Sequence, residues 1–169
     1  MRTSSRRAYL DLGIDGTHLG RVVIKVMDES NYAHNFLHMC IGDLGPSYAS
    51  SGVTWVLDEG EDGERLALGE YTMNGETSSR AVLSGVDWER EEERDIYEEK
   101  LVKAGQVLGD FSVDYASMFD IVTRDDLRWR DRDCFGMVEE GLDVLRLAIL
   151  HYPDIESIKI TDCGLIFSQ

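Results

Sequence analysis

The chain has 169 residues, 43% hydrophobic and 30% charged, which suits one domain with a single core and argues against wholesale disorder. Lys and Arg number 17 against 33 Asp and Glu, and a formal net charge of −16 repels phosphate backbones and anionic bilayers. The partner class this favours is a protein or peptide segment of basic or apolar character, with no nucleic acid and no membrane.

Residues 1–7, "MRTSSRR", are expected to be a flexible N-terminal segment ahead of one domain over 8–169. "AYLDLGI" and "RVVIKVM" have the period-two, β-branched character of strands, and "DGTHLG" between them carries Asp-Gly turn chemistry, so the chain opens with a hairpin. "NYAHNFLHMC" places Tyr32, Phe36 and either Met39 or Cys40 at helical spacing, with Asp28, Ser30 or Asn31 to cap it and Gly42 to end it. Two strands, "VTWVL" and "RLALGEYTM", flank the acidic loop "DEGEDGE", and "SSRAVLSG" is a further strand candidate. "DWEREEERDIYEEK" reads as a solvated helix or acidic loop. "GQVLGDF" and "MFDIVT" are strand-like and precede the charged loop "RDDLRWRDRD". The end reads as a strand "FGMVEE", a helix "GLDVLRLAIL" with Leu142, Leu145 and Ile149 on one stripe, and a strand "SIKITDCGLIF".

No apolar run approaches the ~18 residues of a membrane span. Cys40, Cys134 and Cys163 include no CxxC pair, so neither a disulfide framework nor a zinc site is indicated, and reduced thiols in a cytoplasmic or nuclear protein are expected. His34 and His38 share a helical face but have no third ligand nearby in sequence, which makes them surface histidines rather than a metal pair. The acidic residues form no carboxylate dyad with separable environments, and "DEGEDGE" lacks the register of a calcium loop. No metal and no cofactor are expected.

"YLDLGIDGTHLGRVVIKV" near one end, and "FGMVEEGLDVL" with "IKITDCGLI" near the other, together resemble the cyclophilin family of peptidyl-prolyl isomerases. Asn35 and Phe36 in the first helix and Tyr48 before the third strand fit the same frame, which spans about Tyr9 to Ile166. The resemblance implies a mainly β fold, a closed eight-stranded antiparallel barrel capped by two helices, with the functional groove on the barrel's outer face.

The groove positions depart from the family's pattern. Where cyclophilins carry an FHR triplet, this chain reads Val53, Thr54, Trp55, so Trp55 stands at the arginine that favours the twisted prolyl amide. Lowering an amide barrier of ~18–20 kcal/mol needs donors aimed at the rotating bond, and an indole offers one N–H and no charge. The QGGDF segment matches "ALGEY", which puts Ala67 at the glutamine, and SQFF matches "SMFD", which puts Met118 at the second glutamine and Asp120 at the floor of the proline pocket. Trp129 corresponds to the family's loop tryptophan, while the pocket-edge histidine, the MANAG rim and the GTGG loop have no match. Arg65 or Arg80 is the arginine that an altered alignment would bring toward the groove. With these departures, the resemblance implies a catalytically inactive cyclophilin-like domain acting as a protein-interaction module. The alternative is a weak isomerase that binds Xaa-Pro peptides.

Overall fold

Asp15 and Gly16 both lie in the left-handed region (φ 49° and 81°), the pair of conformations that lets a two-residue turn follow the twist of its strands. In the computed structural model, which describes residues 6–58, 63–92, 102–109, 112–125, 133–151 and 154–167, this turn joins β1 (Arg6–Ile14) to β2 (Thr17–Val26). The strand starts inside the segment expected to be loose. Arg6 donates to the Asp28 carbonyl at 3.0 Å and Arg7 pairs with Glu139 at 2.6 Å, so both residues are tied down.

Helix α1 (Asn31–Ile41) begins where Ser30 accepts from the Ala33 amide at 3.1 Å and ends where Gly42, at φ 77°, donates to the His38 carbonyl. Tyr32, Phe36, Met39 and Cys40 are all buried, so both alternatives for the last turn face the core. The chain continues through β3 (Val53–Asp58), β4 (Glu64–Leu68) and the short ribbon of β5 (Tyr71–Met73) and β6 (Glu76–Ser78). Helix α2 (Trp88–Glu92), β7 (Gln106–Gly109), β8 (Phe119–Arg124), β9 (Asp133–Glu140), α3 (Leu142–His151) and β10 (Lys159–Ile166) complete it.

The strand expected over "SSRAVLSG" is not there. β6 stops at Ser78 and pairs only with β5, while the amides of Val82 and Leu83 donate to the side-chain oxygen of Asn35, at 2.8 and 3.1 Å. Buried amides need an acceptor, and here one carboxamide replaces a neighbouring strand. Among the described residues three α-helices form rather than two. The short α2 carries Trp88 into the main core, while the remainder of the acidic run and the loop bearing Trp129 lie outside the described residues.

Among the described residues eight strands make one curled, wholly antiparallel sheet in the order β10-β1-β2-β9-β7-β8-β4-β3. Its outer strands do not close it with a ladder. They meet at a single bridge between Gly52 and Lys159, flanked by Ser50 N–H to Ile160 O and Ile160 N–H to Ser51 O, each 2.7 Å. Inside the curl, Phe36 makes edge contacts with Phe119 and Phe135 at centroid separations of 5.2 and 5.1 Å, and Tyr48 packs on the same cluster. Among the described residues no helix is long and apolar enough to cross a membrane, and all three cysteines are free.

Candidate functional site

Strand register places three of the five expected groove residues side by side. Trp55 on β3 pairs with Ala67 on β4, Ala67 with Asp120 on β8, Asp120 with Leu108 on β7, and Leu108 with Cys134 on β9. Directly paired residues share one face of a sheet, and their chain neighbours take the other. Leu66, Leu68, Val107, Phe119, Ile121 and Phe135 belong to the main core, so the row from Ala67 to Cys134 lies on the outer face. Of Trp55 only the backbone position is described, and Trp129 lies outside the described residues.

The outer face around Asp120 is buried too. Val102, Leu108 and Val122 form a second apolar cluster there, with Cys134 packed against it. Ala67 and Asp120 are fully buried and Met118 is 7% exposed. Arg65, two residues before Ala67 and on the same face, brings Nη1 to 3.5 Å from Oδ2 of Asp120. A carboxylate at this depth needs a counter-charge, and the guanidinium supplies it. Arg80 is elsewhere: 64% exposed, it pairs with Asp114 at 2.6 Å.

The segment entering β8 is held by side chains of α1 and the turn after it. Asn35 donates to the Ala116 carbonyl at 3.2 Å, Tyr48 to that of Ser117 at 2.7 Å, and Tyr32 to that of Met118. Three successive buried carbonyls are thereby satisfied, which fixes the strand that carries Asp120. Burial pushes the Tyr48 hydroxyl well above the ordinary tyrosine range, so it remains a donor. Ser117 in turn donates to the Gly69 carbonyl at 2.8 Å. A Cβ at Gly69, where φ is 108°, would collide with the Ser117 carbonyl and stand 2.9 Å from the Met118 Cα, so only glycine lets β4 leave the row at this point.

Asn35, Tyr32 and Arg65 are site residues whose roles the sequence alone does not assign. Asn35 and Tyr32 stand in a helix with a clear apolar stripe, and Arg65, at the head of the strand "RLALGEYTM", is one of the two arginines that an altered alignment brings toward the groove. The arrangement offers a buried ion pair in an apolar setting. Among the described residues no group of three or more His, Cys, Asp or Glu is disposed to hold a metal ion.

Among solved structures, the chain is similar to the crystal structure of the Mimivirus cyclophilin, with a TM-score of 0.65 and 21% sequence identity over 97% of this chain and 90% of that one. No family model matches the sequence, and no curated protein matches it. The similarity in architecture shows that this chain has the cyclophilin-like fold.

Proposed function

We propose that this cyclophilin-like domain does not rotate prolyl peptides and serves instead as a protein-interaction module. The observation that carries the reading is Asp120, fully buried at the floor position of the row and 3.5 Å from Arg65. A prolyl ring needs an open apolar hollow, and seating one here would mean displacing or stripping a paired charge. With Trp55 at the arginine position, the row also offers no guanidinium from β3 to aim at a twisting amide. The curled sheet, with its edges tied at Gly52 and Lys159, acts in this reading as the rigid closed barrel. The free thiols fit a cytoplasmic or nuclear setting, and the charge of −16 suits a basic partner segment rather than nucleic acid or a membrane.

A second reading, a weak isomerase, is favoured by Arg65, a guanidinium that reaches the outer face from β4. One measurement separates the two. Uncatalysed Xaa-Pro relaxation takes tens to hundreds of seconds, so cis-to-trans relaxation of a proline-containing tetrapeptide is followed with and without the protein. The inactive module leaves the rate within about two-fold of the spontaneous one. Acceleration by about ten-fold or more, abolished by Arg65→Lys, establishes the isomerase.

A further inference from the structure

The seam where the two outer strands meet carries a concave site whose lining includes none of Ala67, Met118 and Asp120. It is an open cleft of about 410 Å³, lined by Ser50, Glu70, Thr72, Thr77, Glu156 and Lys159. Three features of the chain build it. Ser50, at φ 75°, turns the backbone into the bridge between Gly52 and Lys159. The β5–β6 ribbon forms one wall, with Thr72 and Thr77 directly paired across it. The turn of 3-10 helix at Ile155–Ser157, just before β10, supplies Glu156.

The cleft's charges are not used internally. Glu70, Glu156 and Lys159 take part in none of the ion pairs among the described residues, whereas Arg7, Arg21, Arg65 and Arg80 each have a carboxylate partner. Lys159 lies back against the strand, since a Cβ at Gly52 would come within 2.9 Å of its Nζ. Two carboxylates and one ammonium line the cleft of a protein of net charge −16, and its hydroxyls can accept and donate hydrogen bonds.

We propose that this cleft docks a partner segment bearing lysine or arginine. The cationic head is taken by Glu70 and Glu156, while Lys159 and the threonine hydroxyls bond the segment's backbone carbonyls. The volume is within the range of small binding sites, and the polar walls disfavour an apolar occupant. The surrounding negative field speeds the encounter and selects its sign. The row at Asp120 is buried, whereas this cleft is open to a charged segment. The inference rests on the reading of the domain as a binding module and names its binding face.

The test is a titration of isotope-labelled protein with the capped peptide Ac-Gly-Lys-Gly-Arg-Gly-NH2 at low salt, read by amide chemical shifts. Saturable shifts are expected at Gly52, Glu70, Thr77 and Lys159, and none with Ac-Gly-Glu-Gly-Glu-Gly-NH2. The double variant Glu70→Gln/Glu156→Gln weakens binding about five- to ten-fold, and the exposed control Glu29→Gln/Glu140→Gln leaves it unchanged. Equal weakening by both variants would show a diffuse charge effect and overturn the site. Shifts centred on Ala67 and Leu108, or no saturable shift at millimolar peptide, overturn it as well. The relaxation assay uses a different substrate and a different readout, so loss of this docking site leaves the question of catalysis decided on its own.

Discussion

Arg65 of β4 and Asp120 of β8 meet as an ion pair of 3.5 Å on the outer face of the sheet, with the carboxylate fully buried and the arginine 9% exposed. Their strands are adjacent but their residues are offset: Arg65 pairs in register with Val122, and Asp120 with Ala67. The contact is diagonal, within the reach of a long side chain. Desolvation of both groups offsets much of their attraction, so the pair's chief effect is on what the face can accept.

Removing one member leaves the other charged and buried. Asp120→Ala is expected to lower unfolding stability by about 3–5 kcal/mol, measured by urea titration. Arg65→Met/Asp120→Leu, which replaces both by apolar groups, should lose far less. A double variant no more stable than Asp120→Ala would show that the pair itself stabilises the fold.

Gly69 is the second sensitive point. Gly69→Ala combines a left-handed backbone with a collision against the Ser117 carbonyl, and should cost roughly 2–4 kcal/mol. The amides of Met118 to Asp120 should exchange faster with solvent in this variant, because the Ser117–Gly69 bond fixes the entry to β8. Unchanged exchange there would mean that Asn35, Tyr32 and Tyr48 hold the strand without this bond.

Asn35→Ala should strip two amides of their acceptor and one carbonyl of its donor. The expected loss is about 2–4 kcal/mol, with faster hydrogen exchange at Val82 and Leu83 before any change in β1 or β2. Asn35→Asp keeps the acceptor and should restore protection at Val82 and Leu83 relative to Asn35→Ala.

Stability should fall in two separate windows as the solution is acidified. Burial, followed by the Arg6 charge, holds His34 below its ordinary 6.5, against the smaller opposing pull of Glu29 and Asp28. The unfolded chain therefore takes up the proton first, and stability present above 6.5 declines as pH drops through that value toward the folded one. Hydrogen bonds from Arg21 and Arg7 hold the Asp11 and Glu139 carboxyls below their usual range, so their contributions persist above it and are lost at lower pH. His34→Gln should flatten the first window in pH-dependent unfolding and leave the second. A slope near 6.5 that survives this variant would assign it to another histidine.

Much of the architecture is legible in local patterns. The Asp15-Gly16 turn, the Tyr32–Phe36–Met39 stripe of α1, the closing β9–α3–β10 run and the two-residue periodicity that sets Ala67 and Asp120 outward are all of this kind. Neighbours two, three or four residues apart encode them directly, so the sequence determined these elements and the cyclophilin-like frame that joins them. Other features needed partners far apart in the chain. The 78–85 segment has the look of a strand until Asn35 takes its amides, and Arg65 is one of two arginines that an altered alignment brings toward the groove until β8 sets Asp120 beside it. The sheet's edges touch at one bridge rather than along a ladder, and that contact, with the β5–β6 ribbon, opens the cleft at Lys159. Long-range pairing and register alone decided these points, because the free energy of a buried polar group depends on which partner the fold delivers and not on its neighbours along the chain.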